Sequence, residues 1–100
     1  LKKIKKINLL GMTFNVIHVN DLRDPQGVAL GGRAKSATTE ILMDNESSGD
    51  GYLTTLLHEI LHQGLWGMGM HLSEDDVDRL STLSLSLIRD NPQVVDLIKK

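Results

Sequence analysis

His58, Glu59 and His62 are the residues of this chain whose types and spacing suit chemistry, and they fall together in LTTLLHEILHQGLW, residues 53–66. Histidines four apart on a helix point the same way and lie about one turn from each other, which suits two ligands of a tetrahedral zinc ion. Glu59, beside the first of them, is not needed to hold the metal. It can reach a zinc-bound water and take the proton from it.

The surroundings of this HExxH pattern add to it. Leu53, Leu56, Leu57, Ile60, Leu61 and Leu65 give the predicted helix, about residues 52–66, the broad apolar surface of a buried element. Three ionisable groups that interrupt such a surface are costly unless something satisfies them, and a metal ion does. The competing reading makes the histidines ordinary packing residues, with Glu59 on the solvent side.

One hundred residues are expected to form one domain, residues 1–100, near the lower end of comfortable size, so a bound metal would help its stability. A hydrophobic content of 40 % is enough for a core, and the net charge of −2 argues against a nucleic-acid partner. With no cysteine, neither a disulfide nor a thiolate-held metal is available. No apolar run is long enough for a membrane span, and the basic start LKKIKKINLLGM lacks a small-residue cleavage site. The expectation is a cytoplasmic protein without a membrane partner, a monomer or weak dimer. Leu1 in place of a methionine suggests that the natural chain begins earlier.

Ahead of the motif the pattern is that of strands. Ile7, Leu9 and Leu10 before Gly11 suit a first strand, and Phe14, Val16, Ile17 and Val19 a second, paired as a hairpin. Asn20, Asp21, Asp24, Pro25 and Gly27 form a turn cluster. Residues 28–33 read as a short strand in which Gly31 and Gly32 permit a bulge or a close backbone approach. A turn over 34–37 leads to a strand over 38–44, with Ile41 and Met43 on one face and Glu40 and Leu42 on the other. The polar loop 44–51 offers Ser48 or Asp50 as the cap of the motif helix.

The glycines Gly64, Gly67 and Gly69 end that helix, and Trp66, Met68 and Met70 around the exit read as core filling in a chain so poor in aromatics. Ser73 caps a second helix lasting to Arg89 or Asp90, with Val77, Leu80, Ser84, Leu87 and Ile88 as its inward stripe. After Pro92 comes a short turn or helix in which Val95 and Ile98 dock. The fold expected is α+β, with a small, mostly antiparallel sheet of three to four strands packed on the HExxH helix and a second C-terminal helix.

A catalytic zinc needs a third protein ligand beside the histidines and one open position. His71, Glu74, Asp75, Asp76 and Asp78 are the candidates. Asp78, between Val77 and Leu80 of the inward stripe, turns inward more readily than the capping acids and is favoured, with His71 next. A carboxylate that is not a ligand can instead orient His58 or His62 through its other ring nitrogen.

HEILHQGLW followed by HLSEDDVDRLSTLSLSLIRDNP resembles the small zincin-like metallopeptidases of bacteriophage genomes and, more distantly, the ImmA/IrrE-like peptidase domains. The resemblance spans nearly the whole chain. It implies strands ahead of an HExxH helix and a second helix that supplies an acidic third ligand. His58 and His62 are then zinc ligands, Glu59 the general base, and Asp78 the third ligand where the family usually has glutamate. The longer HExxHxxGxxH pattern of metzincins is not matched, since Leu65 and Met68 stand at its glycine and third histidine.

The function these readings imply is zinc-dependent hydrolysis of peptide bonds in a peptide or protein substrate, which would lie extended along an exposed strand, either residues 38–43 or 28–33. His71 and, after it, Arg33 are candidates for stabilising the oxyanion. The alternative is a non-catalytic, zinc-stabilised binding module for a phage or host protein, which a closed site with four protein ligands would favour. A DNA-binding helix pair is disfavoured, because Glu74, Asp75, Asp76 and Asp78 on its recognition face would repel phosphate.

Overall fold

The computed structural model describes residues 3–35 and 38–100. Strands β1 (Lys6–Leu9), β2 (Met12–Val19), β3 (Gly32–Lys35) and β4 (Glu40–Asp44) precede helices α1 (Gly49–Gly67), α2 (Glu74–Asp90) and α3 (Pro92–Ile98). The four strands form one sheet in the order β1-β2-β4-β3. β1 with β2 and β3 with β4 are antiparallel, while β2 and β4 run parallel. The α+β class is as expected: a small mixed sheet packed against the HExxH helix, with a second helix behind it.

The first hairpin turns at Leu10 and Gly11, whose φ values of 52° and 76° are those of a tight two-residue loop matched to strand twist. Leu10 therefore belongs to the turn and is exposed, although its apolar side chain suggested strand. In the strands, alternation sorts the side chains: Phe14 and Val16 of β2 and Ile41 and Met43 of β4 all face α1 and are buried. They meet Tyr52 and Leu56 from the first turns of α1.

Tyr52, 1 % exposed, also carries the core's main polar contact. Its hydroxyl accepts from the Ile4 backbone N–H at 3.3 Å and pairs with His18 Nε2 at 2.8 Å. Burial, helped by nearby Lys3, lowers the pKa of His18, so the neutral ring suits this pairing. Tyr52→Phe leaves both partners without that oxygen and is expected to cost about 1–3 kcal/mol in chemical denaturation. A loss under about 0.5 kcal/mol would mean that water replaces the hydroxyl without penalty.

The third strand begins later than the sequence pattern placed it. Residues 28–30 are engaged elsewhere: Ala29 bridges to Arg23, the Leu30 N–H donates to the Leu22 carbonyl, and Asp24 Oδ1 accepts from the Gln26 and Val28 N–H groups. This folded turn buries Leu22, whose own N–H donates to Asp44 Oδ1. The pairing of β3 with β4 starts only at Gly32 and runs through Ala34 and Lys35, where a turn was expected. The rest of that expected turn, residues 36 and 37, lies outside the described residues.

At Gly32 the backbone of the sheet comes close against the motif helix. A Cβ there would stand 2.9 Å from Thr55 Cγ2, 3.0 Å from Met43 Sδ and 3.1 Å from Glu59 Cγ. The close approach foreseen for the glycine pair is thus made against α1. Gly32→Ala is expected to destabilise the fold by about 1–3 kcal/mol through overpacking, and Thr55→Ser, which lacks the offending methyl, to restore part of it. Thermal unfolding of the single and double variants reads both effects; additive losses would show that Thr55 is not what limits the approach.

Helix α2 runs antiparallel to α1: Glu74 and Asp78 at its start meet the middle of α1, while Arg89 near its end pairs with Asp50 at the start of α1, 3.0 Å apart. Ser73 caps it, its Oγ accepting from the Asp76 N–H at 3.1 Å. Val77 and Ser81 are its wholly buried positions, and Ser81 Oγ is satisfied by donating to the Val77 carbonyl. Leu87 and Ile88, expected inside, are exposed. At that level α1 is just beginning, with Gly49, Asp50 and Gly51, and offers no apolar surface to cover them. On α3 Val95 is partly buried, but Ile98, expected to dock, is 78 % exposed. Among the described residues no helix is long and apolar enough to cross a membrane.

Candidate metal centre

Helix α1 presents two functional faces, a consequence of its 3.6-residue period. Tyr52, Leu56, Glu59 and Gln63 face the sheet and are buried. His58 and His62, turned about a quarter of the way round, face α2, with ring centroids 4.6 Å apart and planes at 66°. The ligand atoms of His58, Glu59 and His62 all lie within 4.8 Å of one another, a His/Glu/His cluster able to chelate a divalent metal ion.

Two carboxylates of α2 complete the surroundings. Glu74 Oε2 is 2.7 Å from His58 Nε2, and its Oε1 is 2.9 Å from His62 Nε2, so one carboxylate spans the same nitrogen of both rings. The second contact is close but off the line of a hydrogen bond, leaving His62 Nε2 buried without a hydrogen-bond partner. Asp78 lies on the other side of His58, where the Nδ1–H donates to Oδ1 at 2.6 Å. Partial desolvation opposes ionising Glu74, but contacts from His62 and His58 outweigh it and hold its carboxyl below the ordinary range.

Glu59 is in the reverse situation. It is 7 % exposed, and burial pushes its carboxyl up, with the charges of His58 and His62 pulling the other way and Glu74 and Asp78 adding to the rise. Its Oε2 is buried with no hydrogen-bond partner among the described residues. Two orphaned acceptor-capable atoms, Glu59 Oε2 and His62 Nε2, side by side in a cluster of this geometry fit a bound cation and its water better than they fit a packed core.

Of the residues singled out from sequence, His58, Glu59 and His62 come together as the helical spacing required. Asp78 reaches the cluster through Nδ1 of His58, whereas Glu74, ranked behind it, reaches both Nε2 atoms. His71 is exposed and stands outside the cluster. Trp66, Met68 and Met70, read as core, are 56 %, 65 % and 47 % exposed. Trp66 follows His62 by four residues and so continues the face of the two histidines. It lines a groove of about 640 Å³ shared with Glu59, His62, Glu74 and the backbone side of β3. That interval was the signal that could have placed it. The chain matches no family model, no curated protein and no solved structure.

Proposed function

We propose that the protein is a zinc-dependent metallopeptidase of zincin-like type. The observation that carries this reading is the His58, Glu59 and His62 cluster, with the Glu74 carboxylate against Nε2 of both histidines. In this assignment the Nε2 atoms of His58 and His62 and the carboxylate of Glu74 are the groups that would hold zinc. Asp78, first favoured as a ligand, fits better as the group that orients His58: accepting the Nδ1 proton fixes the tautomer whose Nε2 lone pair is free for the metal.

When bound, zinc supplies a Lewis acid that polarises a peptide carbonyl and brings the pKa of a coordinated water close to neutrality. Glu59 takes the proton from the attacking water and delivers it to the leaving amine nitrogen. The free edge of β3 beside the groove is the place for an extended substrate, and Gly32 brings that edge against Glu59. His71 is exposed and stands outside the cluster, so it gives no support to a site closed by His71 and Asp78 together.

The test is digestion of an unfolded protein by zinc-loaded enzyme, with product termini read by mass spectrometry. Cleavage that stops with a chelator and returns with added zinc supports the reading. Absence of cleavage across several unfolded substrates at full zinc loading would instead favour the binding module.

A further inference from the structure

The groove has two chemically distinct sides, and the pleat of β3 separates them. β3 is the outermost strand, paired with β4 on one edge only. Gly32 and Ala34 stand opposite Met43 and Ile41, which are wholly buried against α1, so these positions face the helix. Arg33 and Lys35 stand opposite Leu42 and Glu40 and therefore project from the outer face of the sheet. Both are exposed, and among the described residues neither is in an ion pair. The groove is lined by the Trp66 indole and Leu30, together with the acids Asp24, Glu59 and Glu74.

A peptide added to the free edge of β3 continues that pleat, so its side chains alternate between the two sides. Those beside Arg33 and Lys35 are cross-strand neighbours of two unpaired cations, where carboxylates gain and ammonium groups lose. The side chain between them turns inward to an aromatic and an aliphatic wall. A negative charge at that inner position would face Glu59 and Glu74, so the pattern on the inner side is apolar and not acidic.

We propose that the groove selects extended peptides with an acidic–apolar–acidic alternation, the carboxylates beside Arg33 and Lys35 and the apolar side chain against Trp66 and Leu30. This specificity rests on reading the groove as the substrate cleft of the peptidase, but recognition by the β3 edge does not depend on catalysis.

Trp66 is the chain's one tryptophan, so its fluorescence reports on the groove directly. Zinc-loaded Glu59→Gln protein is titrated at low salt with end-blocked hexapeptides centred on aspartate–leucine–aspartate, lysine–leucine–lysine or aspartate–serine–aspartate. The first is expected to shift Trp66 emission to the blue and to bind about tenfold more tightly than the second, since two charge pairs are gained in one and opposed in the other. The serine peptide should bind more weakly than the leucine peptide, and Arg33→Glu, which leaves one cation and one anion on that face, should abolish the preference between aspartate and lysine. Affinities equal within about twofold, a preference for lysine, or an order unmoved by Arg33→Glu would overturn the proposal. Parallel digestion by the parent separates the two readings: selective binding with no cleavage sinks the peptidase and keeps the edge specificity, and cleavage without selectivity does the converse.

Discussion

Glu59→Gln is expected to lower kcat/KM for peptide hydrolysis by about 10²–10⁴-fold while leaving zinc affinity nearly unchanged. The amide keeps the volume and one acceptor of the carboxylate but cannot take a proton from water. Because burial raises the pKa of Glu59 in the metal-free fold, its ionised form is disfavoured there, and a neutral side chain costs no more than the native one. The metal-free variant should therefore unfold at the same temperature as the metal-free parent or slightly above it. Loss of activity with retained zinc and retained stability is the signature of a chemical role. Activity within tenfold of the parent would remove Glu59 from the mechanism, and loss of zinc would make it a ligand.

The second large effect distinguishes the two carboxylates of α2. Glu74→Ala should weaken zinc binding by more than about 100-fold, beyond the 10–100-fold that loss of an orienting partner usually costs. Asp78→Asn should fall within that smaller range, since its amide oxygen can still accept the His58 Nδ1 proton at a reduced strength. Both acids are exposed, so neither substitution threatens the core. Competition with a chromogenic chelator gives both affinities on one scale. The reverse order would return Asp78 to the ligand position and make Glu74 the outer partner.

The contrast between Glu74 and Asp78 also marks where the sequence stops being informative. Helical spacing alone unites His58 and His62, and alternation alone buries Ile41 and Met43, because both follow from local geometry. Ser73 as a cap is similarly local. Glu74 and Asp78, four apart, share one face of α2, and which nitrogen each meets depends on how far α2 is shifted along α1. Packing of Val77 and Ser81 and the Arg89–Asp50 pair set that shift, and none of these contacts is written in the spacing of either helix. The late start of β3 has the same kind of origin: the Asp24 turn draws residues 28–30 into its own pairing. Trp66 was misplaced for a different reason. Scarcity of aromatics argued for burial, and the four-residue interval to His62 was the stronger signal.

Zinc titration of the metal-free protein tests the central claim most directly, with His58→Ala and His62→Ala alongside. The account predicts one zinc per chain in the parent, with a rise in unfolding temperature that follows zinc concentration, and loss of both in each variant. A parent that takes up no zinc when it is offered in excess, or variants that bind it as the parent does, would contradict the account.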